Sequence, residues 1–430
     1  MDFISQLFSI LLKVPVYGFA FVFVLTIIVF FHELGHFLAA RSVGVKVDVF
    51  SIGFGKKIVS WVDKQGTEWR ISWLPLGGYV KFFGDANAAS APSQQTRDEE
   101  HAEDAEKQGR PLTTQFPTPG EADEIRHTMT EEEKAVCFHF KPVWARAFVV
   151  AAGPFANFIL ATLIFAGLFM TLGDRTFPAV IASVDAGSPA EAAGLAPGDR
   201  IVRIDGKRID DFNDVRQIII LSAGVELEVQ VEREGALVAL LATPGRGEIT
   251  DAFGNVNMVG RLGFRIDSEQ SAFQRYGLFA AIGRGADRVV TMIGSTLKYV
   301  KRLIFGDEDA SQLGGPLRIV EYSGKAAESG FKADVDFLTS LQYSLIFLIE
   351  LSAMLSVSIG LINLFPIPML DGGHLMYYAY EAVAGRPLGE RAQELGFRVG
   401  LVLVLSLMAF ATWNDLNNLK IIEGLSGLFS

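Results

Sequence analysis

Phe30-Phe31-His32-Glu33-Leu34-Gly35-His36-Phe37-Leu38 sets two histidines four residues apart around a glutamate, at the end of an uncharged apolar run. A helix advances about 100° per residue, so positions four apart differ by only about 40° and can grip one ion. Neutral imidazole suits zinc, and three protein ligands with a fourth position open make a catalytic rather than a structural site. Glu33, beside the first histidine, can take the proton of a water activated by such a metal. The chain has only six histidines, which makes this spacing informative.

The setting adds a second constraint. From Val16 to Phe31 the chain reads VYGFAFVFVLTIIVFF, without a charge, and apolar character resumes at Phe37. A water-soluble peptidase would carry an amphipathic helix here, not one apolar all round. Ionisable groups inside a membrane span are costly and mark function. The reading is chemistry performed within the bilayer. The segment is read as a retained anchor and not a cleaved leader: Asp2 and Lys13 flank the run, it is long for that role, and cleavage near Ala39-Ala40 would discard the motif.

The chain has 430 residues, half of them hydrophobic and 34 of them Phe, and its mean hydropathy is positive. That suits a polytopic membrane protein with soluble parts. A net charge of −11 argues against nucleic acid as a partner. The single cysteine, Cys137, excludes an intrachain disulfide framework and a cysteine-ligated zinc site.

Four segments read as spans: about Pro15–Ala39, Ala145–Leu172, Tyr343–Phe365 and the shorter Phe397–Thr412. Arg41, Lys46, Lys56 and Lys57 follow the first, and Lys141 and Arg146 precede the second. Positive residues stay inside, so the segment between these spans is expected in the cytoplasm, with the amino terminus and residues 173–340 outside.

Between Gly44 and Phe83, Val45, Val47 and Val49 alternate with polar residues, as do Trp69, Ile71 and Trp73. Glycine-rich corners interrupt them, so β-hairpins lying at or dipping into the membrane are expected. An exposed strand edge there could pair with an extended substrate. Residues 85–138 turn polar and acidic and are expected to be a largely disordered insert. Gly153-Pro154-Phe155-Ala156-Asn157 opens the second span with small residues that permit close helix approach, and Asn157 either steadies the metal neighbourhood or joins helices. Gly194 to Ile209 reads GLAPGDRIVRIDGKRI and, with flanking strands and a helix from about Phe212, closely resembles a bacterial PDZ domain. That resemblance implies binding of peptide ends or extended segments. Phe273 to Ile304 is a basic amphipathic stretch that lies on the membrane surface or braces the PDZ module.

The third span ends in Asn363-Leu364-Phe365-Pro366-Ile367-Pro368-Met369-Leu370-Asp371-Gly372-Gly373-His374. Both this segment and the first span run inward, so Asp371 and His374 each arrive as a possible third ligand. Residue type leaves the two open.

Three motifs in order, His32–His36, Gly153–Asn157 and Asn363–Gly373, are similar to those of the site-2 protease family of intramembrane zinc metalloproteases. With the PDZ module the chain most resembles the bacterial regulator of sigma-E protease group. The resemblance implies Zn2+ on His32, His36 and Asp371, with Glu33 as general base. It also implies substrate contacts at Asn363 and at Gly53-Phe54-Gly55 in a membrane-reentrant β element, and Asn157 is counted with these as an expected substrate-binding residue. It further implies a bacterial inner-membrane location, with the active site towards the cytoplasm. Substrates would be single-pass transmembrane proteins, such as anti-sigma factors, or signal-peptide remnants. One PDZ module is read where the best-known members have two.

The expected fold is a polytopic α-helical membrane protein of about four transmembrane helices with membrane-associated β-hairpins and an extracytoplasmic PDZ (α+β) domain. Its divisions are a first span at 1–41, β-hairpins at 42–84, the acidic insert at 85–138 and a second span at 139–172. A PDZ domain at 173–268, amphipathic helices at 269–340 and the last two spans at 341–430 follow.

Overall fold

The computed structural model describes residues 2–83, 129–209, 211–250, 256–266, 272–305, 314–332 and 335–418. Most of the acidic insert lies outside them. The chain divides into two compact units, one of residues 1–161 and 314–430, the other of residues 162–313. Among the described residues, four helices are long and apolar enough to cross a membrane: Val14–Ser42, Val143–Thr171, Phe337–Asn363 and Arg391–Asn417.

The first unit is built on α1 (Asp2–Ser42), an unbroken apolar helix that ends where Gly44 turns to a φ of 71°. Strands β1 (Val47–Val62) and β2 (Glu68–Phe82) follow and pair with each other, joined by a turn at Asp63–Thr67. Both are bent. Gly53 and Gly55, at φ of 85° and 84°, turn β1 through a conformation that glycine adopts without strain. Before the bend, Phe50 faces Val80 on one side and Trp69 on the other. The inner stretch of β1 is therefore flanked on both sides, and its side chains join the core. Phe37 of α1 packs edge-on against Phe50 and Trp69, with ring centroids 5.4 and 5.1 Å apart. Beyond the bend, Lys56 to Val62 is exposed, Ile58, Val59 and Trp61 included.

The acidic insert does not stay irregular to residue 138. Glu131–Val136 is a short helix, α2, because Thr130 and Glu133 close a capping box and three glutamates occupy its first turn, where the helix dipole favours them. Phe138 behind it is buried and stacks on Phe82. Then α3 (Val143–Thr171) crosses beside α1.

Gly314-Gly315-Pro316 opens α7 (Pro316–Ser329), which packs its Ala326 with Ala20, Val24 and Ile28 of α1 and with Leu348 and Leu351 further along the chain. Helix α8 (Phe337–Asn363) is followed by α9 (Asp371–Ala384) and α10 (Glu390–Asn418). The last helix is 29 residues long, not the short span expected at 397–412, because polar residues at both of its ends continue the helix beyond the apolar centre.

The second unit holds a four-stranded sheet in the order β6-β5-β7-β8 (Lys207–Arg208, Arg200–Ile204, Leu227–Arg233, Ala236–Ala242). Helix α5 (Phe212–Ile220) starts at an Asp211 capping box and turns Val215 and Ile219 into the core with Ile201, Val229 and Val231. Helix α4 (Pro189–Ala192) precedes this sheet, and three two-stranded pairs accompany it: β3 (Asp174–Thr176) with β12 (Ala272–Gln274), β4 (Ile181–Val184) with β11 (Phe264–Ile266), and β9 (Gly245–Thr250) with β10 (Val256–Arg261). Helix α6 (Leu278–Phe305) sends Lys298 to Ser222 Oγ at 2.8 Å, and Arg302 to the carbonyls of Leu221 and Ala223 at the end of α5.

Candidate metal centre

His32 and His36 share one face of α1, and both are buried although each carries a ring that prefers a polar partner. The other end of the site is prepared by the turn after α8. Pro366 and Pro368 cannot continue a helix, and Met369 takes a φ of 86°, a costly conformation for a residue with a side chain. Helix α9 restarts at Asp371, which puts that carboxylate in a first turn. Arg146 of α3 holds α9 in place through an ion pair to Glu381 at 2.6 Å and a stack over Tyr378.

These elements bring three donor atoms together. His32 Nε2 lies 3.2 Å from His36 Nε2 and 3.2 Å from Asp371 Oδ2, and His36 Nε2 lies 3.6 Å from Asp371 Oδ1. Two nitrogens and an oxygen bound tetrahedrally at zinc distances of ~2.0–2.2 Å would stand ~3.3–3.5 Å apart. Asp371 Oδ2 is buried with no hydrogen-bond partner, as a carboxylate oxygen waiting for a cation would be. The donor set therefore fits zinc. His374 is not in the group; its ring packs edge-on against Tyr377.

The remaining expected residues fall in different places. Glu33 is buried, and Gly78 of β2 lies so close that a Cβ there would come within 3.1 Å of Glu33 Cγ. Asn363, at the end of α8, has its amide nitrogen 3.4 Å from His32 Nε2. Phe54 stacks on Tyr79, next to Gly78, at a centroid distance of 6.2 Å. The Gly53-Phe54-Gly55 bend thus belongs to the strand pair that covers Glu33. Asn157 stands beside His32, on α3. It is wholly buried, and its amide faces His32 Nδ1 at 3.3 Å, because α3 crosses α1 at that level.

Two features were not legible beforehand. Val149 accepts a hydrogen bond from His36 Nδ1 at 2.9 Å through its backbone carbonyl, which no side chain could announce. Gly35 and Gly153 leave the space through which α1 and α3 approach. A Cβ on Gly35 would run into Ala152 and Ala156, and one on Gly153 into the His36 ring. The only prior signal for these was the small-residue composition of residues 153–157.

A profile of Peptidase family M50 matches residues 20–407. A relative from Rhizobium meliloti (strain 1021), whose name places it with the zinc metalloproteases, is 41% identical over 399 residues, covering 92% of this chain and 95% of its own. A similarly named protein of Agrobacterium fabrum (strain C58) is 42% identical over 401 residues, covering 93% and 95%. Metalloprotease MmpA of Caulobacter vibrioides is 42% identical over 409 residues, covering 95% and 97%. Among solved structures, the PDZ domain of an SdrC-like protein from Listeria innocua covers 24% of this chain and all of its own, at 17% identity and a TM-score of 0.17. With the family profile running from Ala20 to Leu407, the chain belongs to peptidase family M50, the site-2 proteases, and is a zinc metalloendopeptidase.

Proposed function

We propose that this protein cuts peptide bonds in or near the membrane spans of single-pass membrane proteins, with His32, His36 and Asp371 as its zinc ligands and Glu33 as its general base. The observation that carries the reading is the triangle of three donor atoms, two from an apolar helix and one from the start of α9. Zinc held there would supply a Lewis acid that polarises the scissile carbonyl and acidifies a water.

The chain's own residues do the rest. Glu33 removes the proton of the attacking water and delivers it to the departing amine. The Asn363 amide, beside the ligand nitrogen of His32, donates to the substrate backbone at the reacting carbonyl. A helical substrate hides its peptide bonds, so it must unwind. The β1–β2 strands, with the Gly53-Phe54-Gly55 bend, offer a backbone edge on which the extended form is held. The buried helix faces around Glu33 exclude bulk water.

In this reading the protein lies in a bacterial inner membrane with its amino terminus and residues 173–268 in the periplasm, and the centre faces the cytoplasmic side. Residues 173–268 act as a PDZ domain that takes peptide ends or gates access. Anti-sigma factors and signal-peptide remnants fit the substrate class.

The test is Glu33→Gln in proteoliposomes with a single-pass substrate. Cleavage should fall ~10²–10⁴-fold or further, with zinc content unchanged; retained cleavage overturns the proposal. Asp371→Ala should lose zinc while His374→Ala keeps it, and the reverse result would reassign the third ligand.

A further inference from the structure

The proposed zinc site makes a demand on His32 that one neighbour meets. His32 Nε2 stands 3.2 Å from both His36 Nε2 and Asp371 Oδ2, so this is the ring atom turned to the metal. A ligating nitrogen offers its lone pair, and a neutral imidazole then carries its proton on the other nitrogen, Nδ1. That buried N–H needs an acceptor. The group facing it, at 3.3 Å, is the Asn157 amide, with Nδ2 forward. Donor would then meet donor. At the same time Asn157 Oδ1 is buried with no hydrogen-bond partner. The two ends of an amide are distinguished only by the bonds they make. Half a turn of this one sets acceptor against donor at His32 Nδ1, and neither orientation breaks another hydrogen bond of the amide.

We propose that Asn157 is a positioning residue whose side-chain oxygen accepts the His32 Nδ1 proton and so fixes the tautomer and aim of the ligand. The amide is well placed to do this. Asn157 is wholly buried, its backbone carbonyl accepts a hydrogen bond from Ser356 Oγ of α8 at 3.0 Å, and Gly360 of α8 packs directly against its Cβ. His36 is oriented from the same helix, through Nδ1 to the Val149 carbonyl at 2.9 Å. Residues 149 and 157 lie eight apart, about two turns, so α3 acts as one bracket for both imidazoles. Partners of this kind typically change metal affinity ~10–100-fold when removed.

The inference rests on the zinc reading of His32, His36 and Asp371, and the experiment separates the two. Full-length protein in detergent is stripped with a chelator and titrated with zinc against a competing chelator. Asn157→Leu, similar in size but without an acceptor, should bind zinc ~10–100-fold more weakly, with thermal unfolding of the zinc-free form unchanged. Asn157→Asp, which presents only acceptors, should keep wild-type affinity. Wild-type affinity in Asn157→Leu overturns the inference, and so does an equal loss in Asn157→Asp. Should Asn157→Leu fail to fold, nitrogen NMR of histidine-labelled, zinc-loaded wild type decides. A His32 proton on Nδ1 supports the role, and a proton on Nε2 ends it. If the wild type binds no zinc, or His32→Ala binds as well as it does, the reading of the site itself falls and takes this one with it.

Discussion

Both imidazoles of the triangle sit on α1 where it crosses α3, and glycine at two positions lets those two helices touch. Gly153 lies under the His36 ring, and Gly35 against the backbone of Ala152. A side chain at Gly153 would run straight into the His36 ring, so the ring must move. Gly153→Val is expected to lose zinc by at least ~10-fold in affinity, the scale of disturbing a ligand's support, as read by chelator competition. Gly167 on the same helix has open space around it, so Gly167→Val is the control and should bind as the wild type does. The histidine pair was readable from spacing alone. The glycines beneath it were not, because their meaning depends on which helix lies opposite.

The strand pair is fastened to α1 by one carboxylate. Burial works against ionised Asp63, but hydrogen bonds from Trp69 Nε1, the Arg41 guanidinium and the backbone N–H groups of Gln65 and Thr67 outweigh it. They bring its pKa from 3.8 down to about 2. Arg41 also donates to Thr67 Oγ1 at 2.9 Å and stacks on Phe37, one residue after the second histidine. The folded value lies below the unfolded one. The carboxylate's contribution is therefore complete above about pH 3.8 and disappears as pH falls through about 2. Asp63→Asn should lower the unfolding temperature at pH 6, and the gap to wild type should close as the pH is taken down to 2. A gap that stays constant across that range would remove the carboxylate's charge from the account. Alternation of apolar residues announced strands here. The doubling back of β1 at Gly53 and Gly55, which buries one half and exposes the other, came from packing against Phe37.

At the scale of the molecule, each unit carries a polar fastening that ties segments distant in sequence. In the first, Asp415 of α10 is wholly buried and accepts from the backbone N–H of Gly315 at 2.9 Å and of Arg318 at 3.0 Å, while the Arg318 side chain lies 3.6 Å from it. It caps α7 from a helix a hundred residues away, where Gly315 offers no side-chain cap of its own. Asp415→Ala should cost about 1–3 kcal/mol, since it leaves buried donors unpaired, measured by reversible denaturation in mixed micelles. Zinc stoichiometry should be unchanged. In the second unit, Asp199 plays a matching part. Burial acts to raise its pKa, but the two-pronged Arg233 contact at 2.7 Å and the Ala196 N–H hold it below the usual carboxylate range.

By itself the sequence determined the zinc chemistry, the apolar helices and the family, because histidine spacing, unbroken hydropathy and ordered motifs are local properties of the chain. Residue type left Asp371 and His374 open, and tertiary structure brings Asp371, not His374, up to the two histidines of α1. A fresh helix turn carries both, and only the proline-shaped turn from α8 says which of them reaches α1. It also decided the place of Asn157, since a polar residue in an apolar helix must find a partner, and which partner depends on how deeply two helices can approach. Contacts between segments more than a hundred residues apart follow from packing, and local pattern carries no record of them.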